Sequence, residues 1–217
     1  GPVLSNASLR TFPGPQLAHA RWLGGILGGD AYLKQLARTI VDGATGEEEA
    51  ARRLIRFVQR AVFRDPVAQP REDDGSLPDA LTALLCARGR CGHTARILAA
   101  LFEHAGFEAR VRQLPQHLVV EANCGGRWVL ADADAFKNGI VPEGPDGRLL
   151  TMDAIEANPY LLDRFPPTGW MIRPNSRHTR GLLGRRVRGY VDALEPDRRG
   201  FVSGYYVPSA RGFPPSL

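Results

Sequence analysis

A chain of 217 residues with 43% hydrophobic and 24% charged side chains is long enough to bury a core and too apolar for intrinsic disorder. No run approaches the roughly 18 apolar residues of a bilayer span, and no basic start with an apolar stretch and cleavage site opens the chain, so one soluble globular protein is expected. The formal charge of +5 is carried almost wholly by arginine and reads as compositional bias rather than a nucleic-acid footprint.

Gly1-Pro2 has the pattern of a scar left by a tag-removing protease, and residues 1–15, rich in Pro, Gly and Ser, are expected to form an extended arm. Over 16–43, Leu17, Ala20, Leu23, Ile26 and Leu27, then Leu33, Leu36, Ala37, Ile40 and Val41, recur at three- and four-residue steps, which predicts two helices broken at Gly28-Gly29. Thr45 and Glu48 have capping-box spacing ahead of a third helix with Ala50, Leu54, Phe57, Val58, Ala61 and Val62 on one face. A fourth is predicted over 78–88, capped near Ser76 or Leu77 and stopped by Gly89. From Gly92 a fifth carries Ala95, Leu98, Ala99 and Phe102 and ends at Gly106.

The period then changes. Phe107, Ala109 and Val111 alternate with charged residues as in a half-buried strand, and 117–123 and 127–132 flank Cys124-Gly125-Gly126 as in a tight hairpin. Beyond Phe136 the chain is rich in Pro and Gly, with a helical candidate at 151–157 and strand-like pieces at 187–194 and 201–207. Helices followed by consecutive antiparallel strands predict an α+β domain over 16–217.

Three cysteines, Cys86, Cys91 and Cys124, are an odd and irregular set, which fits a reducing compartment and makes the cytoplasm the expected location. Cys91 falls at a predicted helix start, where the dipole and first-turn N–H groups favour the thiolate. In the hairpin, His117 shares a face with an acid on the facing strand under either turn. With Cys124-Gly125 as the turn residues it lies opposite Asp132; with Gly125-Gly126 it lies opposite Asp134 and diagonal to Asp132. Nucleophile, base and orienter are thus all present in the pattern.

Gly89-Arg90-Cys91, an apolar helix ending at Gly106, the strand Phe107-Glu108-Ala109-Arg110-Val111, then His117-Leu118-Val119-Val120-Glu121 and Trp128-Val129-Leu130-Ala131-Asp132 together resemble the transglutaminase-like core of the papain-like cysteine enzymes. The resemblance covers about residues 47–136 and leaves 137–217 as an extension. It implies that Cys91, His117 and Asp132 are catalytic, Asp132 being preferred over Asp134 because it follows Trp128 by four positions. An acyl donor such as a peptide, an amide or a carrier-bound thioester is the implied partner, with an amine or water as acceptor. Family members often carry an aromatic two residues after the histidine and a proline after the aspartate, where this chain has Val119 and Ala133. The calcium-binding segments of the large animal transglutaminases have no counterpart.

Cys86, Cys91, His93 and His117 lack the paired spacing of structural zinc sites, so neither a metal nor another cofactor is expected. His93 and Asp134 are candidate substrate contacts, as are Trp170 as a lid and Arg180, Arg185 and Arg186 of the basic run 177–188 as a grip on an anionic group. The competing functional class is a catalytically inactive domain that binds an anionic partner through that run.

Overall fold

A computed structural model describes residues 14–65, 69–114, 117–136, 139–162 and 165. Residues 1–13 of the expected arm, Trp170, Arg180, Arg185, Arg186 and the strand-like pieces at 187–194 and 201–207 lie outside the described residues, and residues 14 and 15 open a helix instead. Helices α1 (Gly14–Ile26), α2 (Asp30–Val41) and α3 (Glu47–Ala61) precede a short strand β1 (Phe63–Arg64), helix α4 (Ala80–Leu85) and a second short strand β2 (Arg88–Gly89). Helix α5 (Cys91–His104), strands β3 (Ala109–Leu114), β4 (His117–Cys124) and β5 (Arg127–Ala131), helix α6 (Met152–Ala157) and a 3₁₀ turn (Pro159–Leu162) follow. This is an α+β arrangement, with a helical N-terminal half against an antiparallel sheet.

The strands run in the order β3-β4-β5, and both faces of the sheet are covered. Val120, Ala122, Val129 and Ala131 point into a core shared with Leu54, Ile55 and Val58 of α3 and Ile97, Leu98, Leu101 and Phe102 of α5. Val119 and Leu130, on the opposite pleat face, pack with Phe136, Leu149's neighbour Leu150, Met152, Ile155 and Leu162. Burial on both sides is why 117–123 reads as a nearly continuous apolar run. Segment 139–162 is tied to α3 as well: Arg56 donates to the Gly139 carbonyl, Gln59 to that of Ile140, and Arg52 pairs with Glu143. Among the described residues no helix is long and apolar enough to cross a membrane.

Several boundaries differ from those predicted, each for a local reason. The Thr45–Glu48 capping box does not form; Gly46 caps α3 without a side-chain bond. Glu48 instead accepts from the Leu149 N–H at 3.1 Å, from Arg127 at 2.7 Å and from Arg148 at 3.1 Å, linking α3 to β5 and the segment beyond it. Helix α4 is shorter than 78–88 and is capped by Asp79, which accepts from the Thr82 N–H at 2.9 Å. Ala87 then takes a left-handed φ of 52°, turning the chain into the parallel β1–β2 pair, which no local pattern announces. Strand β3 starts two residues after Phe107, because Phe107 closes α5: its N–H reaches the Phe102 carbonyl at 2.9 Å and its ring meets Phe102 edge-on. With Gly106 at φ 91° this is a Schellman motif, the stop that Gly106 predicts.

Candidate active site

Cys91 is the first residue of α5, and its surroundings fix that helix start from three sides. The N–H of Arg90 donates to Nδ1 of His93 at 3.3 Å, one half of a capping box, and His93 Nε2 lies 2.7 Å from the Pro70 carbonyl. A ring that accepts at Nδ1 must carry its proton on Nε2, so His93 is neutral and donates to Pro70. Burial holds its pKa below the ordinary value, against the raising effect of the Pro70 bond. His93 is buried and committed to these two bonds, so it props the helix start and offers no free ring nitrogen as the substrate contact the sequence suggested. Beneath it, Gly89 has no room for a side chain: a Cβ there would fall 2.4 Å from the His93 Cβ and 2.6 Å from its Cγ. Since both ring nitrogens are engaged, the imidazole has little freedom to yield. Gly89→Ala is therefore expected to lower stability by about 1–3 kcal/mol, read from chemical denaturation, and to disturb the Cys91 helix start. An unchanged denaturation midpoint would remove this account of the glycine.

His117 opens β4 and Asp132 follows β5, so the antiparallel pairing brings both to the same end of the sheet, the end at which α5 begins. Cys124 pairs with Arg127, which makes Gly125 and Gly126 the turn residues, both at positive φ (59° and 83°), as a type I′ hairpin requires. Of the two turns that the sequence allows, this one sets His117 diagonal to Asp132. The diagonal contact is made, His117 Nε2 lying 2.5 Å from Asp132 Oδ2 with both side chains 1% exposed. Asp132 is aimed by its own chain: Oδ1 accepts the N–H groups of Asp134 at 2.7 Å and Ala135 at 2.9 Å. With Nε2 on Asp132, Nδ1 is the nitrogen left to face a nucleophile.

Cys91 Sγ, a ring nitrogen of His117 and a carboxylate oxygen of Asp134 all lie within 4.8 Å of one another. Asp134 is fully buried and paired with Arg64 Nε at 2.9 Å. Sequence reasoning missed Arg64. It reaches the site only because β1 pairs with β2, Arg64 opposite Gly89, two residues before Cys91. One arginine among many gives no local signal of that.

Burial opposes a charge on His117, but the Asp132 carboxylate and its hydrogen bond, the bond to Cys91 and the charge of Asp134 outweigh it and push the pKa up to about 10. The imidazolium form is therefore the resting one at neutral pH. The other two thiols are held in the neutral form: burial and Asp79 push Cys86 up to about 11, and burial with Glu47 and Glu48 pushes Cys124 up to about 12. All three cysteines are free, and Cys91 is half-buried.

Residues 34–133 match the family described as the Transglutaminase-like superfamily, a stretch that includes Cys91, His117 and Asp132 and stops one residue short of Asp134. No curated protein matches the chain. Two solved structures are similar to it. A candidate protease from Parabacteroides distasonis is 19% identical, with a TM-score of 0.41, over 55% of this chain and 26% of its own. A candidate cysteine protease from Cytophaga hutchinsonii is 18% identical, with a TM-score of 0.40, over 65% of this chain and 49% of its own. The matched region thus spans about a quarter of the one and half of the other.

Proposed function

Starting from a transglutaminase-like core over residues 34–133, we propose that the chain is a cysteine-dependent acyl-transfer enzyme with Cys91 as nucleophile, His117 as acid and base, and Asp132 as orienter. The observation that carries this reading is the convergence of Cys91 Sγ on a His117 ring whose other nitrogen is held by a buried, backbone-anchored carboxylate. The start of α5, the start of β4 and the segment after β5 supply these groups.

In the proposed reaction the Cys91 thiolate attacks a carbonyl carbon, and the tetrahedral oxyanion is received by the N–H groups of Cys91 and Gly92 at the start of α5, those of His93 and Thr94 being taken by the Arg90 carbonyl. The His117 imidazolium gives its proton to the departing amine, leaving a thioester on Cys91. His117, now neutral, takes a proton from an incoming amine or water as that group attacks the thioester. Asp132 keeps the imidazole in the tautomer and orientation that both transfers need. The proposed acyl donor is a peptide, an amide or a carrier-bound thioester, and a primary amine added to the assay reports the acceptor: amide product identifies a transferase, free acid a hydrolase. A nucleophilic free thiol suits the reducing cytoplasm, which we take as its location.

Selective alkylation tests the assignment of the nucleophile. Limiting iodoacetamide at neutral pH should label Cys91 first, because Cys86 and Cys124 are held as thiols well above that pH. Peptide mapping that found either of those labelled as fast as Cys91 would remove the case for it.

A further inference from the structure

Besides the proposed triad, the site contains a second carboxylate, and its placement has a chemical consequence of its own. We infer that Cys91, His117 and Asp134 form a reversible binding site for a borderline-soft divalent cation of the zinc type, which masks the thiol. The three donor atoms lie within 4.8 Å of one another. Donors about 2.0–2.3 Å from a shared tetrahedral ion stand about 3.3–3.8 Å apart, so the side chains need to close by no more than about 1.5 Å. Thiolate, imidazole and carboxylate together suit zinc, whereas magnesium and calcium call for oxygen donors throughout. Three protein ligands leave one position open, for water.

The surroundings fit a metal-bound state. Asp132, on the far nitrogen of His117, is the carboxylate that orients a ligating imidazole, and it leaves Nδ1 to the ion. Arg64 grips Asp134 at 2.9 Å. A carboxylate offers about four acceptor directions, so being held by an arginine and ligating a cation are compatible. Binding displaces one proton from the sulfur–imidazole pair: the ion takes up sulfur and Nδ1, and that proton leaves to solvent. The masking role rests on Cys91 being the nucleophile; the binding itself does not.

Cobalt(II) is the probe, because a thiolate ligand gives it a charge-transfer absorption that oxygen and nitrogen ligands do not. Titrating the full chain should show that band saturating at one ion per chain. Cys91→Ser should abolish it, while the Cys86→Ser, Cys124→Ser double variant should keep it. Breaking one partner of the buried Asp134–Arg64 pair risks unfolding, so the pair is removed together as Asp134→Asn with Arg64→Gln, and Asp134→Glu, which keeps the charge and moves the oxygens, is read beside it. Affinity should fall at least about tenfold in both. Zinc should block alkylation of Cys91, and a chelator should restore it. Cobalt binding without a thiolate band, or unchanged affinity in either Asp134 variant, overturns the site. A chain that binds cobalt through Cys91 yet turns over no acyl donor sinks the acyl-transfer reading and leaves the metal site standing; one that turns over and binds no cobalt does the reverse.

Discussion

Cys91→Ala is expected to remove turnover of an amide or thioester by roughly four orders of magnitude or more while leaving the fold intact. The chemistry requires a sulfur at this position, because the thioester forms on it. The fold does not, since Cys91 is half-buried at a helix start and alanine is a good helix residue. His117→Ala should be as damaging to the rate but not as harmless to stability. His117 and Asp132 are a buried pair with side chains 1% exposed, and removing one partner strands the other's charge, at a cost of about 3–5 kcal/mol. Steady-state rates and denaturant midpoints measured on both variants separate these effects. Residual turnover in Cys91→Ala above a tenth of wild type would mean that another group is the nucleophile.

Asp132→Asn should lower kcat by roughly three to four orders of magnitude, because the amide presents the wrong hydrogen-bonding pattern to the imidazole and no longer stabilises its cation. The pH profile carries the more specific signature. With His117 at about 10, the wild-type rate should hold through neutral pH and fall on the alkaline side as the imidazolium loses its proton. In Asp132→Asn that alkaline limb should move to lower pH, because burial still opposes the charge while its main counter-charge is gone. The same shift acts on stability: a folded-state pKa raised above the unfolded value contributes stability fully present below about 6.5 and lost as pH rises through about 10. Asp134→Asn should affect the rate less, since Asp134 is paired with Arg64 and acts on His117 through its charge. If it lowered kcat more than Asp132→Asn with both variants folded, the third member of the triad would be Asp134.

The parts of this fold that could be read in advance are those where one local pattern decides the outcome. Gly106 stops α5, the alternating run after it forms strand, and Gly125-Gly126 turn the hairpin, because each depends on backbone preferences of a few residues. The glycine pair alone left two registers open, and the bond from His117 to Asp132 is made in the register where they are diagonal. Where tertiary partners compete with local ones, local reading fails. Glu48 abandons the cap of its own helix for two arginines and an N–H from segments far along the chain. His93 turned inward to Pro70 and Arg90, a placement set by a loop 23 residues earlier. Arg64 was invisible because its position depends on a two-residue parallel pairing that no periodicity encodes.

The most direct measurement of the central claim is intact-mass spectrometry of the chain after exposure to a panel of activated amides and thioesters, followed by peptide mapping. Acyl transfer through a thioester predicts a mass increase equal to the acyl group, located on the peptide that contains Cys91, absent from Cys91→Ala, and discharged when a primary amine is added. An unmodified chain across the panel, or an acyl group carried on Cys86 or Cys124 and unaffected by Cys91→Ala, would contradict it.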